Sequence, residues 1–149
     1  MSMIPEIIFE QVFGIKGGDF INAGDASCQI SNLLKDIGID PDVILRLTVA
    51  AYEAEMNVVM YAQQGTMDLR VTPNKILLEV EDVGPGIEDI GLAMKPGYST
   101  ATDEMREMGF GAGMGLPNMK KHADVFKINS RVGKGTRVEI VMNLNHQNG

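Results

Sequence analysis

The stretch GFGAGMGLPNMKKHADVF, residues 109–126, joins a glycine-rich segment to the start of an amphipathic helix. Glycines occupy every second position at its beginning: Gly109, Gly111, Gly113 and Gly115. Because glycine has no side chain, its amide can approach an anion closely, and the positive end of the following helix dipole favours the same charge. The stretch is therefore typical of a phosphate-binding loop. Glycines alone are also compatible with a flexible linker or a plain turn, so the rest of the chain has to decide.

The length and composition of the chain limit the classes of function. Its 149 residues correspond to one domain, and the net charge of -7 argues against a nucleic-acid backbone or an anionic membrane as the main partner. The single cysteine, Cys28, excludes an internal disulfide, and the two histidines are too few for a Cys/His zinc site. We find no apolar run of membrane-spanning length and no secretion signal, and we expect a cytoplasmic protein.

Strand patterns occur in five segments. They are EIIFEQVFGIKG (6–17), TMDLRVT (66–72), PNKILLEVEDVG (73–84) and two within DVFKINSRVGKGTRVEIVMNL (124–144). Because turn residues separate the second strand from the third and the fourth from the fifth, at Pro73/Asn74 and at Gly133–Gly135, we expect two antiparallel pairs.

Helix patterns occur in the remaining segments. Residues 19–38 carry apolar residues at helical spacing and end at Gly38, while residues 40–65 begin with Asp40 as N-cap and Pro41 in the first helical position. A third helix follows the glycine-rich stretch. Residues 84–115 read as a long loop with one short helix near IEDIGLAM (87–94). The order of elements predicts an α/β sandwich, in which a mixed, mostly antiparallel sheet carries helices on one face.

The long second helix carries a candidate catalytic pair. Glu53 and Asn57 are four residues apart and therefore share one helix face, whereas Glu55 lies roughly 200° around the helix from Glu53. A carboxylate and an amide oxygen stacked in this way could orient a hydroxyl and bind Mg²⁺. The alternative is an ordinary solvated polar face.

Two further clusters follow strands. Asp82, at the end of the apolar strand ILLEV, could accept a hydrogen bond from an exocyclic amine, with Gly84 and Gly86 leaving room for a flat ring. Taken alone, DVGPG is an ordinary turn. Thr136 begins the last strand in GKGTRVEI; the preceding VGKGT is not a P-loop, because that motif has its Lys directly before Ser or Thr.

In combination these motifs are more specific. The order E-x-x-x-N on a helix, D-x-G-x-G-I after a strand, G-x-G-L before a helix and G-T at a last strand resembles the Bergerat-type ATP-binding fold of the GHKL superfamily (gyrase, Hsp90, histidine kinase, MutL). Within it, GLAMKPGYSTA and GMGLPNMKKHADVFKINSRVGKGT resemble bacterial anti-sigma-factor serine/threonine kinases, most closely the switch kinases of the stressosome. The resemblance covers nearly the whole chain as a single domain, residues 1–149.

The resemblance assigns roles to individual residues. It implies ATP and Mg²⁺ as cofactors, Glu53 as general base and a flexible ATP lid at about residues 94–114. The residues that it implies in cofactor binding are Asn57 (through Mg²⁺), Asp82 (on the adenine amine), Gly84, Gly86, Gly113, Gly115, Leu116 and Thr136. The chain departs from the pattern in two places: Tyr61 stands where many members have His, and TDEMREM lengthens the lid.

The resemblance also implies an activity and partners. We expect a protein serine/threonine kinase of a partner-switching stress pathway, with a STAS-domain antagonist or scaffold protein as its substrate. The alternative is a non-catalytic nucleotide-binding module that sequesters a sigma factor or activates a PP2C-type phosphatase. A detached histidine-kinase domain is less favoured, because the chain has no helical pair with an acceptor His. Pairing of two copies through the open sheet face is left open.

Overall fold

Five strands form one sheet in the computed structural model, which describes residues 6–97 and 115–144. The strands are β1 (Phe9–Lys16), β2 (Gln64–Val71), β3 (Lys75–Val83), β4 (Val125–Arg131) and β5 (Gly135–Asn143). Their order across the sheet is β1-β2-β3-β5-β4, so the last of the described strands lies between β3 and β4. All four pairings are antiparallel. The two expected hairpins are confirmed, and the parallel component that a mixed sheet would have is absent from the described strands.

Four helices lie in the described residues. They are α1 (Asp25–Ile37), α2 (Pro41–Tyr61), α3 (Ile90–Ala93) and α4 (Gly115–His122). The predicted start of α2 is confirmed, because the Asp40 side chain accepts a hydrogen bond of 2.9 Å from the Asp42 amide and Pro41 occupies the first position. Gly38 ends α1 with a φ of 92°, as its place in the sequence predicted.

The first helix begins later than the sequence pattern suggested. We expected helical structure from residue 19, but α1 starts at Asp25, after a turn that ends at Gly24. Gly24 has a φ of 98°, in the left-handed region that helical residues do not use. The apolar residues before it therefore belong to a loop rather than to the helix.

The helices cover one face of the sheet, and the core lies between them. Side chains with no exposed surface come from both layers, among them Leu34, Leu47, Leu69 and Ile140. The predicted α/β sandwich with helices on one face is thus confirmed. Alternate residues of the strands point to the opposite face of the sheet.

Charged residues form ion pairs on that opposite face. Arg70 lies 2.8 Å from Glu10 and 2.7 Å from Asp68, and Arg137 lies 2.8 Å from Glu79. Such solvent-accessible pairs contribute little to stability, but they leave this side of the sheet polar.

Within the described ranges, no helix is long and apolar enough to cross a bilayer.

Candidate functional site

The pair predicted on α2 lies directly against the first residue of α4. A β-carbon placed on Gly115 would be 3.3 Å from Asn57 Oδ1 and 3.4 Å from Glu53 Oε2. The first distance is tighter than most β-carbon contacts and the second is an ordinary van der Waals distance, so a side chain at position 115 would require the Asn57 side chain to shift by a few tenths of an ångström. Leu116, which is buried, anchors the same turn of α4 in the core. The structure therefore brings together four of the residues that the sequence singled out.

Glu53 is half-buried, and its surroundings change its acidity. Burial raises the pKa of the Glu53 carboxyl above its ordinary value, while a hydrogen bond from the Asn118 side chain and the charge of His122 act in the opposite direction. Both of these residues lie on α4. The sequence analysis missed Asn118; its spacing of three from Gly115 could have shown that both face α2.

Asp82 is held by the strand next to it. The β3–β5 ladder ends at the pair Glu81 and Arg137, and the next amide of β5, that of Thr136, donates to Asp82 Oδ1 at 3.0 Å. Burial raises the pKa of Asp82, and this amide hydrogen bond partly opposes the shift. In the described part of the chain, Asp82 Oδ2 has no hydrogen-bond partner within the protein, so one carboxylate oxygen is fixed and the other is available.

The glycines around Asp82 are required by close packing. A β-carbon on Gly84 would lie 3.1 Å from the Cα of Ala62 and 3.3 Å from Asp82 Oδ1. Gly86 has a φ of 75°, and a β-carbon there would overlap the backbone carbonyl of Arg131. The D-x-G-x-G turn is therefore pressed against both the end of α2 and the β4–β5 hairpin.

Ser130 is a second residue that the sequence analysis missed. Its hydroxyl accepts a hydrogen bond of 2.8 Å from the Ile87 amide and lies 2.9 Å from the Thr136 hydroxyl and 3.1 Å from the Gly135 carbonyl oxygen. Ser130 and Thr136 face each other across the hairpin. The turn predicted at Gly133–Gly135 implied this register, which was the available signal.

Helix α2 connects the two groups of residues. Asn57 lies beside Gly115, and Ala62, which follows the last turn of α2, lies beside Gly84. Five residues of helix separate these two points by about 8 Å. Tyr61, in the last turn of α2, is partly exposed. Of the expected lid, residues 94–97 follow α3, whereas residues 98–114, including Gly113, lie outside the described residues.

Glu55 has a structural role on the other side of α2. It is 3% exposed and accepts hydrogen bonds from the amides of Gly24 and Ser27, at 2.8 and 2.9 Å, and from the Ser27 hydroxyl at 2.6 Å. The Ala26 amide adds a longer contact of 3.4 Å. Glu55 thus caps the N-terminus of α1, which has no side-chain cap of its own.

A cavity of about 370 Å³ adjoins this cap, between β1 and the start of α1. Its lining includes Lys16, Asp19 and Glu55 but none of the residues singled out for cofactor binding. The candidate site, formed by α2, α4, the end of β3 and the β4–β5 hairpin, is therefore separate from this cavity.

A metal ion would find few protein ligands at this site. No group of three or more His, Cys, Asp and Glu side chains in the described ranges could hold one. The Asn57 oxygen, in a space that a side chain at 115 would fill, fits a Mg²⁺ ion whose other ligands are phosphate oxygens and water, the usual arrangement at nucleotide sites.

Comparison with protein families gives this geometry a context. Residues 37–146 match the family described as "Histidine kinase-, DNA gyrase B-, and HSP90-like ATPase". The chain belongs to this ATPase family. The match includes α2, β3 and the turn after it, α4, β4 and β5, which together carry every described residue of the candidate site.

Relatives within the ATPase family include named kinases and anti-sigma factors. The chain is 32% identical over 114 residues to the serine/threonine-protein kinase RsbT of Bacillus subtilis, covering 74% of this chain and 80% of that protein. It is 36% identical over 109 residues to an anti-sigma F factor of Caldanaerobacter subterraneus subsp. tengcongensis, covering 68% and 73%.

Two solved structures share the fold. The SiaB-SiaC complex from Pseudomonas aeruginosa contains a chain that superposes with a TM-score of 0.62 at 10% identity, covering 91% of this chain and 89% of that one. The RsbU and RsbW domains of Rv1364c from Mycobacterium tuberculosis superpose with a TM-score of 0.58 at 17% identity, covering 90% and 32%. Both similarities support the ATPase-family fold.

Proposed function

We propose that this chain is an ATP- and Mg²⁺-dependent protein serine/threonine kinase of a partner-switching pathway, and that it phosphorylates a STAS-domain antagonist or scaffold protein. The main support for the proposal is that Gly115 lies beside both Glu53 and Asn57, whose side-chain oxygens are 3.4 and 3.3 Å from the position that a β-carbon on Gly115 would take. It puts the segment expected to bind phosphate beside a half-buried carboxylate and an amide. The kinase and anti-sigma names of its relatives favour the same class of activity.

Most of the site residues would bind the nucleotide and its Mg²⁺ ion. Asp82, held by the Thr136 amide, would accept a hydrogen bond from the adenine amine, and Gly84 and Gly86 would shape the space around the base. Asn57 would hold Mg²⁺, which supplies neutralisation of phosphate charge when bound. The Gly115 amide at the start of α4 would face the phosphates together with Gly113, and Leu116 would anchor that turn.

Glu53 would act as the general base toward the acceptor hydroxyl. Burial favours its neutral form, but Asn118 donates a hydrogen bond that stabilises the carboxylate. A carboxylate with a raised pKa is a stronger base than an ordinary glutamate, which suits removal of a proton from Ser or Thr. Phosphoryl transfer otherwise needs mainly positioning and charge stabilisation.

Removal of the Glu53 carboxylate tests the catalytic part of the proposal. Glu53→Gln keeps the size of the side chain but lacks the base, so transfer of labelled phosphate from Mg·ATP should fall by about 10² to 10⁴ while ADP affinity changes little. Asp36→Asn, an exposed position on α1, is the matched control and should transfer normally. Loss of ADP binding in Glu53→Gln, or unchanged transfer, would contradict the role of Glu53.

The acceptor identifies the kind of kinase. The protein is incubated with labelled Mg·ATP and a lysate of its source cells, and the labelled residue is determined in whichever protein gains phosphate. Label on Ser or Thr of a small STAS-domain protein supports the proposal. Label on His of another protein or of the chain itself supports a histidine-kinase domain. ATP binding without any labelled protein supports the alternative, a switch module that sequesters a sigma factor or activates a PP2C-type phosphatase.

A further inference from the structure

The base-binding end of the site contains a pair of hydroxyl groups whose direction of hydrogen bonding can reverse. Ser130 has one hydroxyl proton and two lone pairs, and the Ile87 amide takes one lone pair at 2.8 Å. The proton can then go to the Gly135 carbonyl oxygen or to the Thr136 hydroxyl, at 3.1 and 2.9 Å. These two candidate hydrogen bonds are similar in length.

Each choice gives the Thr136 hydroxyl a different role. When Ser130 donates to Gly135, the Thr136 proton goes to Ser130, and Thr136 can only accept from a ligand. When Ser130 donates to Thr136, the Thr136 proton is free to be donated to a ligand. Ser130 therefore allows Thr136 to present either a donor or an acceptor.

The neighbouring carboxylate cannot reverse in this way. Asp82 Oδ1 accepts from the Thr136 amide at 3.0 Å, which leaves Oδ2 for a ligand, and an ionised carboxylate is only an acceptor. Adenine offers a donor at its 6-amino group and an acceptor at N1. Hypoxanthine offers the reverse, an acceptor at its 6-oxygen and a donor at N1.

The adenine contact of Asp82 belongs to the proposed function. We infer that the Ser130–Thr136 pair sets the direction of its hydrogen bonds to match whichever base is bound. The inference rests on the proposed nucleotide site. The Thr136 amide would hold the oxygen of an asparagine at position 82, so Asp82→Asn would turn its NH₂ group toward the ligand. A donor facing the 6-position and a reversed hydroxyl pair together match hypoxanthine.

The experiment compares the affinity for ADP with that for inosine diphosphate by calorimetric titration in Mg²⁺. Wild type should prefer ADP by about tenfold to hundredfold, because each mismatched polar contact costs about 1–3 kcal/mol. Asp82→Asn should reverse the preference to favour inosine diphosphate by about threefold to tenfold.

The variant Ser130→Ala decides whether Ser130 controls the role of the Thr136 hydroxyl. Without Ser130, Thr136 can still donate to N1 of adenine but has no acceptor for its own proton when it must accept from N1 of hypoxanthine. The ratio of the Kd for inosine diphosphate to the Kd for ADP should therefore rise by about threefold to tenfold. We expect this rise whether position 82 carries Asp or Asn. Ser130→Thr retains a hydroxyl and should keep the ratio. A purely structural role of Ser130 weakens both ligands equally and leaves the ratio unchanged.

The outcomes separate the inference from the proposed function. If wild type binds neither diphosphate, the proposed nucleotide site fails and the inference fails with it. If wild type binds ADP but Ser130→Ala leaves the ratio unchanged, the inference alone is overturned. Should Asp82→Asn not fold, as judged by circular dichroism, the Ser130→Ala and Ser130→Thr ratios in the wild-type background still decide between these results.

Discussion

Substitution of Glu55 by alanine should destabilise the fold strongly, although the residue lies outside the candidate site. Loss of an N-terminal helix cap costs about 1–2 kcal/mol. The Ser27 hydroxyl, in a residue that is 2% exposed, would also lose its 2.6 Å partner, which costs about 1–3 kcal/mol. The free energy of unfolding should therefore fall by about 3 kcal/mol, equivalent to about 6–12 °C in Tm for a chain of this size.

Urea unfolding followed by far-ultraviolet circular dichroism measures this loss. Glu53→Ala, on the same helix, is the matched control, and its unfolding free energy should not fall comparably, because Glu53 caps no helix in the described residues and its burial disfavours the charged form. A loss below about 1 kcal/mol in Glu55→Ala would refute the capping role.

The sequence analysis placed Glu55 on a different face from Glu53, and in the structure that face is buried. A Glu55→Ala variant is therefore unsuitable as a neutral control for phosphotransfer.

Two further outcomes test the site. Mg·ADP at about 100 times its dissociation constant should raise stability by about 2.7 kcal/mol, and an unchanged Tm would contradict nucleotide binding. The acidic limb of the phosphotransfer rate should lie above the ordinary glutamate pKa, because burial raises the pKa of Glu53 and activity is lost as pH falls through it. Asn118→Ala removes a hydrogen bond that lowers the pKa of Glu53, so the acidic limb of the rate profile should move to higher pH. Lys121→Ala, at an exposed position of α4, is the control and should leave the acidic limb in place. An acidic limb that does not move in Asn118→Ala would disprove the role of Asn118.

Local signals predicted most of the fold. Alternating apolar residues located the strands, and Asp40, Pro41 and Gly38 located helix ends, because these features act within a few residues. The predicted start of α1 was wrong for a physical reason. Its cap is Glu55, about 30 residues further along the chain, and no local pattern reports such a partner.

The candidate site was predicted in pieces rather than as an assembly. Helical spacing placed Glu53 and Asn57 together, but their contact with Gly115 depends on how α4 packs on α2. The supporting residues Asn118 and Ser130 lie in the stretch GMGLPNMKKHADVFKINSRVGKGT, but they were missed because the short motifs that assigned roles do not include them. Their positions follow from register and helix spacing once the neighbouring elements are known.

The position of β5 in the sheet has a consequence for synthesis of the protein on the ribosome. Of the described strands, β5 is the last to be made, yet it lies between β3 and β4 and supplies the Thr136 amide that holds Asp82. A nascent chain that ends before residue 135 has β1, β2 and β3 but lacks both the strand that pairs with β4 and the Thr136 amide that holds Asp82. Because chains emerge N-terminus first, the sheet and the proposed base contact can form only after β5 has left the ribosome. Stabilisation by the proposed nucleotide would therefore begin only at that stage of synthesis.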